Sequence, residues 1–270
     1  MELLNYHQFV IITKMEKEQL FKSRIIDLAQ RAYNRGIVTF TNFLNLQELN
    51  IINSLDLRKM GVSYHLFGGY QMSERQIIAF IPEALSYTTT CNEDIKYPID
   101  CLKIAPIVSK FAETLNHRDY LGALVNLGIE RSVIGDIVVK ENEAYIFCSK
   151  RMTSFLIENC IRIKHTQVEC VLAPDFAADF TPEFESVIGS VASVRLDAII
   201  GLAFNSSRSS IIGLIEGKKV FVNSKQITSN GYQLKPTDIV SVRGFGKFIY
   251  QGELSKTKKG RCRVQVNRYI

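Results

Sequence analysis

Apolar side chains along the start of the chain recur at the spacing of a helix. Leu20, Phe21, Ile25, Leu28, Ala29 and Ala32 follow the 3.6-residue period, which predicts a helix ending near Asn34 and Gly36. Asn45, with Glu48 three residues on, forms a capping pair ahead of Leu49, Ile52 and Leu55, so a second helix is expected there. A small helical domain over residues 1–70 follows from these two patterns. At Gly68, Gly69 and Tyr70 a loop intervenes, and the pattern then alternates between strand and helix. Gln76–Ile81 and Ile99–Ile104 read as strands and Arg118–Leu127 as a helix. Asp136–Lys140 and Ala144–Ser149 read as a hairpin about Glu141–Glu143, Thr153–Ile163 as a helix and Val168–Leu172 as a strand. This order predicts a compact α/β domain over 71–175, a split β-α-β arrangement of the kind used by the RNA-recognition motif. Its strand Ala144–Ser149 carries only Tyr145 and Phe147 in place of that motif's aromatic-rich signature, and the two rings are expected in the core. The stretch Ala173–Glu183, with two prolines and little periodicity, is the expected linker.

The last third, 181–270, has a pattern of its own. Leu196, Ile199, Ile200 and Ala203 give one apolar face to a short helix. Asn205, Ser206 and Ser207 interrupt it with side chains suited to a helix start, and Ile211, Ile212, Leu214 and Ile215 resume it, so a second helix begins near Ser207. It is expected to stop at Gly217, where glycine adopts positive φ without steric penalty. Lys219–Val222 then reads as a strand, with Asn223 and Ser224 as its turn.

Charge sharpens this division. The chain of 270 residues carries a net +6, and residues 181–270 hold 14 Lys+Arg against 6 Asp+Glu, a net +8, so the whole excess lies on the last third. Clustered cations attract phosphates and release their counterions, although a charge run taken alone is most simply a solvated face. Six cysteines include no C-x-x-C pair, no metal-ligand cluster or nucleotide-binding loop is evident, and no apolar run is long enough for a bilayer. These features point away from secretion, a zinc site and membrane insertion. The cysteines are expected as small apolar residues or surface thiols in a reducing cytoplasm, and no cofactor is expected.

Arg195, Leu196 and Asp197, then Ser207 and Arg208, then Ile215, Gly217, Val220, Val222 and Asn223, followed by Lys235, Pro236, Asp238, Ile239 and Val242, resemble the RNA-binding module named after the fourth protein of the small ribosomal subunit, the S-four domain (αL-type). Ser224 and Thr237 stand where that family usually has glycine, and Ser210 where alanine is common. The loop FGGYQMSER, Phe67–Arg75, and the stretch His117–Val139 are similar to signature regions of the YlmH family of bacterial S-four proteins. With the carboxy-terminal module, the resemblance covers nearly the whole chain. It implies a cytoplasmic, monomeric, non-catalytic protein that binds ribosomal RNA and tRNA on the large ribosomal subunit. It also implies a place in ribosome-associated quality control and the C-terminal tailing of stalled nascent chains. The fold class expected is thus α+β: a helical N-terminal domain, a central RRM-like domain and a C-terminal S-four domain. The first two would position the third or touch a protein partner.

For the RNA contact, Arg208 at the second helix start brings a guanidinium beside the hydroxyls of Ser206 and Ser207 and free backbone N–H groups, a combination suited to a phosphate oxygen. Arg195 is its partner across the helix pair, with a surface pairing to Asp197 or Glu216 as the simpler reading. Lys218, Lys219, Asn223 and Lys225 around the hairpin, and Arg243 with Lys247 around the glycines of RGFGKF, complete the expected set. The run Lys256–Arg263 adds five further cations, either as a last strand or as a loose tail. The rival is an RNA-modifying enzyme similar to the pseudouridine synthases, with the central domain as catalyst and His117, Arg118, Asp119 and Asp136 as its titratable groups. Against it, Asp197 falls inside the S-four pattern, as a cap or arginine partner, and His117–Asp119 reads most simply as a helix start.

Overall fold

The structure is a computed structural model that describes residues 6–71, 73–86, 95–176, 180 and 182–270. Cys91 and Met72 therefore lie outside the described residues. The chain divides into two compact units, Met1–Phe180 and Thr181–Ile270.

The first unit begins with α1 (Tyr6–Arg35), β1 (Thr39–Phe40) and α2 (Leu46–Ile52). Ile25, Ala29 and Ala32 of α1 are buried, whereas Leu20 is exposed, because at about 100° per residue it lies more than about 100° round the helix from all three. The Asn45 side chain accepts from the N–H groups of Gln47 and Glu48 while Glu48 accepts from the Asn45 N–H, the reciprocal cap that the sequence announced.

Strands β2 (Val62–Phe67) and β3 (Ile77–Pro82) correct the expectation of a purely helical N-terminal domain, because they join β1 in a three-stranded antiparallel sheet of order β1-β3-β2. Every residue of β3 is buried. Such a run needs apolar cover on both faces: Ile78 and Phe80 pack with Ile25 and Ala29, and Ile77 packs with Phe43 and Phe147. A short helix, α3 (Glu83–Ser86), follows.

The larger sheet of this unit contains β4 (Ile99–Pro106), β5 (Ile134–Lys140), β6 (Glu143–Ser149), β7 (Arg162–Ile163) and β8 (Thr166–Leu172) in the antiparallel order β5-β6-β4-β8-β7. Helices α4 (His117–Asn126) and α5 (Thr153–Asn159) supply Tyr120, Leu124 and Leu156 to one of its faces, against Leu102, Ile104, Ile146 and Val168. The sequence extended α5 to Ile163; the helix stops at Asn159 and Arg162–Ile163 turn back onto β8 through Lys164 at φ 51°. On the other face Phe147 stacks on Tyr70, with centroids 5.0 Å apart, and Tyr145 on Phe176, at 3.6 Å and 8°. Both rings are thus engaged in packing. The thiols of Cys101, Cys148, Cys160 and Cys170 are free and buried, and burial pushes those of Cys101, Cys148 and Cys170 up to about 12.

The loop 68–75 fastens the two sheets of this unit together. Gly69 sits at φ +104°, and a Cβ there would fall 2.2 Å from the Phe147 ring. Asp136 accepts hydrogen bonds from the Tyr70 hydroxyl (2.8 Å) and from the N–H groups of Glu74 (2.7 Å) and Arg75 (3.0 Å). The Arg75 guanidinium donates to the carbonyls of Phe43, Arg131 and Ile134. Desolvation lowers its pKa, and the same cause takes that of Arg131 to about 10.

The second unit has β9 (Phe184–Val191), α6 (Leu196–Ala203), α7 (Arg208–Glu216), β10 (Val220–Val222), β11 (Lys225–Gln226), β12 (Ile239–Val242), β13 (Gly246–Lys256) and β14 (Cys262–Tyr269). Its six strands run in the order β11-β10-β12-β13-β14-β9, and α6 and α7 close one face of the sheet over Val240, Phe248, Val264 and Val266. The basic run that the sequence left undecided is ordered as the turn and start of the β13–β14 hairpin. Helix α7 does stop where expected, but for another reason: Gly217 has φ −71° and Lys218 takes the positive φ, 58°. Glycine is needed at 217 because a Cβ would lie 2.8 Å from the Gly213 carbonyl oxygen. Ser224 and Thr237, which stand where the S-four pattern has glycine, hold φ of 63° and 72° without being glycine.

Two outcomes follow. Asp136→Ala removes the acceptor shared by one hydroxyl and two backbone N–H groups, and is expected to lower the stability of the first unit by about 2 kcal/mol in urea unfolding. Thr237→Gly relieves a β-branched residue from positive φ and is expected to raise the unfolding midpoint of the second unit, by the equivalent of about 0.5–1 kcal/mol after the entropy cost of glycine.

Candidate RNA interface

The helix pair α6 and α7 is laid down by its apolar positions: Leu196, Ile199, Ile200 and Ala203 on one helix and Ile211 and Ile215 on the other are buried. The two axes are bent 119° from each other, and the side chain at the start of α7 reaches the first turn of α6. Arg195 is the cap residue ahead of α6, Asp197 lies in that helix's first turn, and Arg208 is the first residue of α7.

At this junction the Asp197 side chain is wholly buried and accepts four donors. Its Oδ1 takes the Arg195 Nε at 3.1 Å and the Ala198 N–H at 3.0 Å. Its Oδ2 takes the Arg195 Nη2 at 3.2 Å and the Arg208 Nε at 3.1 Å. Burial alone would raise the carboxyl pKa; the hydrogen bonds from Arg195 and Arg208 outweigh it and hold the group below its ordinary value. The two arginines are gripped by one edge only: their side chains are 37% and 68% exposed. Two guanidiniums on one carboxylate leave a net positive charge, with N–H groups still directed to solvent. Gly231 lies beside Arg195, its position for a Cβ 3.9 Å from the guanidinium carbon.

The other residues expected at the interface divide into three kinds. The Ser207 hydroxyl is committed to the cap, accepting from the Ser210 N–H (3.3 Å), and the Ser206 hydroxyl donates to the Phe204 carbonyl (3.1 Å). Asn223 is likewise spent inside the fold: its amide donates to Asp238 at 2.8 Å and accepts from the Ile239 N–H at 3.0 Å. Lys218, Lys219, Lys225 and Arg243 are exposed cations. The Arg243 N–H donates to the Lys219 carbonyl and its guanidinium lies over Phe221, while Lys247 lies over the Tyr269 ring. Lys218 and Lys219 follow the far end of α7, roughly 13 Å from Arg208 at 1.5 Å per residue. The sequence set the arginines at the helix starts and the other cations around the hairpin and the RGFGKF glycines; the structure separates Arg195 and Arg208 from Lys218, Lys219 and Arg243 by the length of a helix.

The rival catalytic set in the first unit is differently employed. Asn116 caps α4 by accepting from Arg118 and Asp119, and Asp119 accepts from the Asn116 N–H. Asp119 also pairs with Lys164 at 2.7 Å. The backbone hydrogen bond from Asn116, then Lys164, lowers the Asp119 pKa. Burial lowers the His117 pKa. Asp136 anchors the loop 68–75. Among the described residues no group of three or more His, Cys, Asp or Glu is arranged to hold a metal, and no single helix is long and apolar enough to cross a membrane.

Three family models match the chain: "YlmH, N-terminal" over residues 17–85, "Putative RNA-binding domain in YlmH" over 93–174, and "S4 domain" over 194–240. The "Ribosome-associated protein quality control protein P2" of Bacillus subtilis (strain 168) is 26% identical over 253 residues, covering 93% of this chain and 95% of that protein. A solved structure, "Cell division protein ylmH from Streptococcus pneumoniae", is 21% identical with a TM-score of 0.44, covering 67% of this chain and 99% of that one. The two YlmH models together span more than half of the residues, and the S4 match falls on the helix pair that holds Arg195, Asp197 and Arg208. With the domains in this order, the chain belongs to the YlmH family.

Proposed function

We propose that this chain is a non-catalytic RNA-binding protein whose S-four module grips structured RNA through Arg195 and Arg208, on the large ribosomal subunit and its peptidyl-tRNA, in ribosome-associated quality control and the C-terminal tailing of stalled chains. The observation that carries the RNA contact is the shared carboxylate of Asp197, which orients two exposed guanidiniums from two helix starts toward one place. The ribosomal setting draws its support from the family and from the name of the Bacillus relative. Tailing is the further step implied by that setting. The protein would work in the cytoplasm as a monomer.

Guanidiniums bound on one edge keep a fixed fork for phosphate oxygens, and pre-orientation reduces what is lost on binding. A-form RNA presents phosphates and 2′-hydroxyls rather than base edges to such a surface, so recognition is by shape. Lys218, Lys219, Lys225, Arg243 and Lys247 act as secondary phosphate contacts at the other end of α7. Ser207 and Asn223, exposed but held by their hydrogen bonds to the Ser210 N–H, Asp238 and the Ile239 N–H, brace the surface. In the central region the strand order β5-β6-β4-β8, with α4 and α5 on one face, supports an RRM-like split β-α-β reading. Its aromatic face is packed by Tyr70 and Phe176, which favours a positioning or partner-contacting role for residues 71–175. The reading of domains over 1–70, 71–175 and 181–270 fits this division of labour once β3, which pairs with β1 and β2, is counted with the first of them. The commitment of Asp119 to a cap and an ion pair, and of Asp136 to the loop, favours binding over catalysis.

Arg195→Ala with Arg208→Ala is expected to abolish co-sedimentation with large subunits while leaving the thermal unfolding of the first unit unchanged; undiminished co-sedimentation would remove these two residues from the interface. Wild-type binding should weaken steeply between 50 and 200 mM salt. Asp197→Asn tests the positioning. A carboxyl whose pKa is lowered on folding contributes stability above the pKa of the unfolded chain, about 3.9, and loses it as the pH falls through the folded value. The variant is therefore expected to be about 1–2 kcal/mol less stable than wild type at pH 7, with the difference shrinking toward pH 3 in paired thermal melts.

A further inference from the structure

The hairpin β13–β14 ends in a run of cations that the S4 match, closing at residue 240, does not reach. Lys256, Lys258, Lys259, Arg261 and Arg263 fall within eight residues that hold no Asp or Glu. The turn is built rather than loose: the Thr257 N–H donates to the Arg261 carbonyl (2.8 Å), the Gly260 N–H to the Thr257 carbonyl (2.9 Å) and the Arg261 N–H to the Thr257 hydroxyl (3.0 Å). Gly260 takes φ +75° at the reversal. An Arg261 Nη2 donates to the Ser190 carbonyl at 2.6 Å and ties the arm to β9.

Strand register tells where this arm ends. Strand β12 pairs with β13 only as far as Ile239 opposite Ile249, so residues 251–256 continue beyond β12, about 20 Å at the rise of a strand. At the tip Cys262 lies opposite Val191, the last residue of β9, and the chain from Val191 reaches Arg195 in four residues. At the other end of β14, Arg268 donates to the Ala203 carbonyl, the end of α6. Helix α6 thus runs along β14 with its start toward the tip, which puts the arm at the same end of the sheet as Arg195 and Arg208. Lys218, Lys219 and Arg243 lie at the opposite end, where Val220 faces Val242 and Val242 faces Gly246. Lysines that merely guard a sheet edge are placed along an unpaired strand, whereas Lys258 and Lys259 stand in the turn itself, clear of any strand edge.

We infer that the β13–β14 arm is a second RNA-binding element, whose Lys256, Lys258, Lys259 and Arg263 hold the phosphates of the RNA segment adjoining the one gripped by Arg195 and Arg208. The inference rests on the RNA-binding reading above and adds to it a footprint. A stiff arm of β13 and β14, backed by β9 to the tip, beside a fixed arginine pair lengthens the contact along a duplex and sets its direction, because phosphates must be met at both places together. Each phosphate neutralised adds about 0.9 to the magnitude of the slope of log K against log salt for a duplex.

The test uses the full chain, purified large ribosomal subunits and a potassium chloride series, comparing wild type, Lys258→Ala with Lys259→Ala, Arg195→Ala with Arg208→Ala, and the charge-matched control Lys17→Ala with Lys150→Ala. Both arm lysines are exposed, and the turn is held by Thr257 and Gly260, so the fold is retained; circular dichroism checks this. The expected result is an arm variant bound about 10-fold more weakly at 150 mM salt, with a slope shallower by about 1–2, while the control matches wild type. An arm variant that binds like wild type, while the arginine variant loses binding, overturns the arm and leaves the function standing. Equal losses in the arm variant and the control also overturn it, since the effect would then be net charge alone. Loss in the arm variant with the arginine variant unaffected supports the arm and removes the arginine pair.

Discussion

A carboxylate shut away from water is costly unless cations meet it, and Asp197 is met by two. That requirement organises the second unit. The carboxylate can be buried only if α6 and α7 start side by side, and they do so because Leu196, Ile199 and Ile200 on one and Ile211 and Ile215 on the other share a core with Val240, Phe248 and Val264. The electrostatic demand and the apolar one thus select the same helix crossing. Its by-product is functional: arginines that satisfy a buried anion along one edge are held still, with their remaining donors in solvent. The same two residues free of Asp197 would have to be ordered by the RNA, at a cost in side-chain entropy of up to about 2 kcal/mol each.

The first unit meets the same constraint with polar groups used for joining. Strand β3 is apolar on both faces and can only exist between two layers, so the three-stranded sheet and the five-stranded sheet must be brought together over it. Phe43, Ile77, Cys101 and Phe147 supply the shared core, and Gly69 lets the backbone pass the Phe147 ring. The backbone groups exposed by that close passage are then collected by Asp136 and Arg75. Asp136, which the sequence offered to a catalyst, is here the fastening of a loop. The aromatic pair Tyr145 and Phe147 reads as packing because its ring partners, Phe176 and Tyr70, are within the same unit.

Positive charge in the second unit has a direction that its total does not reveal. One group belongs to the helix starts and the hairpin arm, the other to the far end of α7 and the glycines near Arg243. An elongated ligand of uniform negative charge can touch both ends of such a sheet.

What the sequence determined by itself was local. The caps at Asn45 and Ser207, the burial of Leu196, Ile199, Ile200 and Ala203, the hairpin at Glu141 and the stop of α7 all depend on residues within about four positions, where side chain and backbone are already neighbours. The excess of cations after residue 181 was equally plain, as was the order of residues shared with the S-four pattern. Even so, the reason given for Gly217 was one residue out: positive φ falls on Lys218, and glycine is fixed by the Gly213 carbonyl behind it. Tertiary structure alone decided the rest, because it depends on pairings between distant parts of the chain. The partners of β3 came from β1 and β2 of the N-terminal region rather than from the central sheet. The placing of Asp136 followed from a loop sixty residues earlier, and the position of the basic run from Cys262 lying opposite Val191. Periodicity states which face of an element is buried, but strand order and register choose its neighbour, and it is the neighbours that bring charges together or hold them apart.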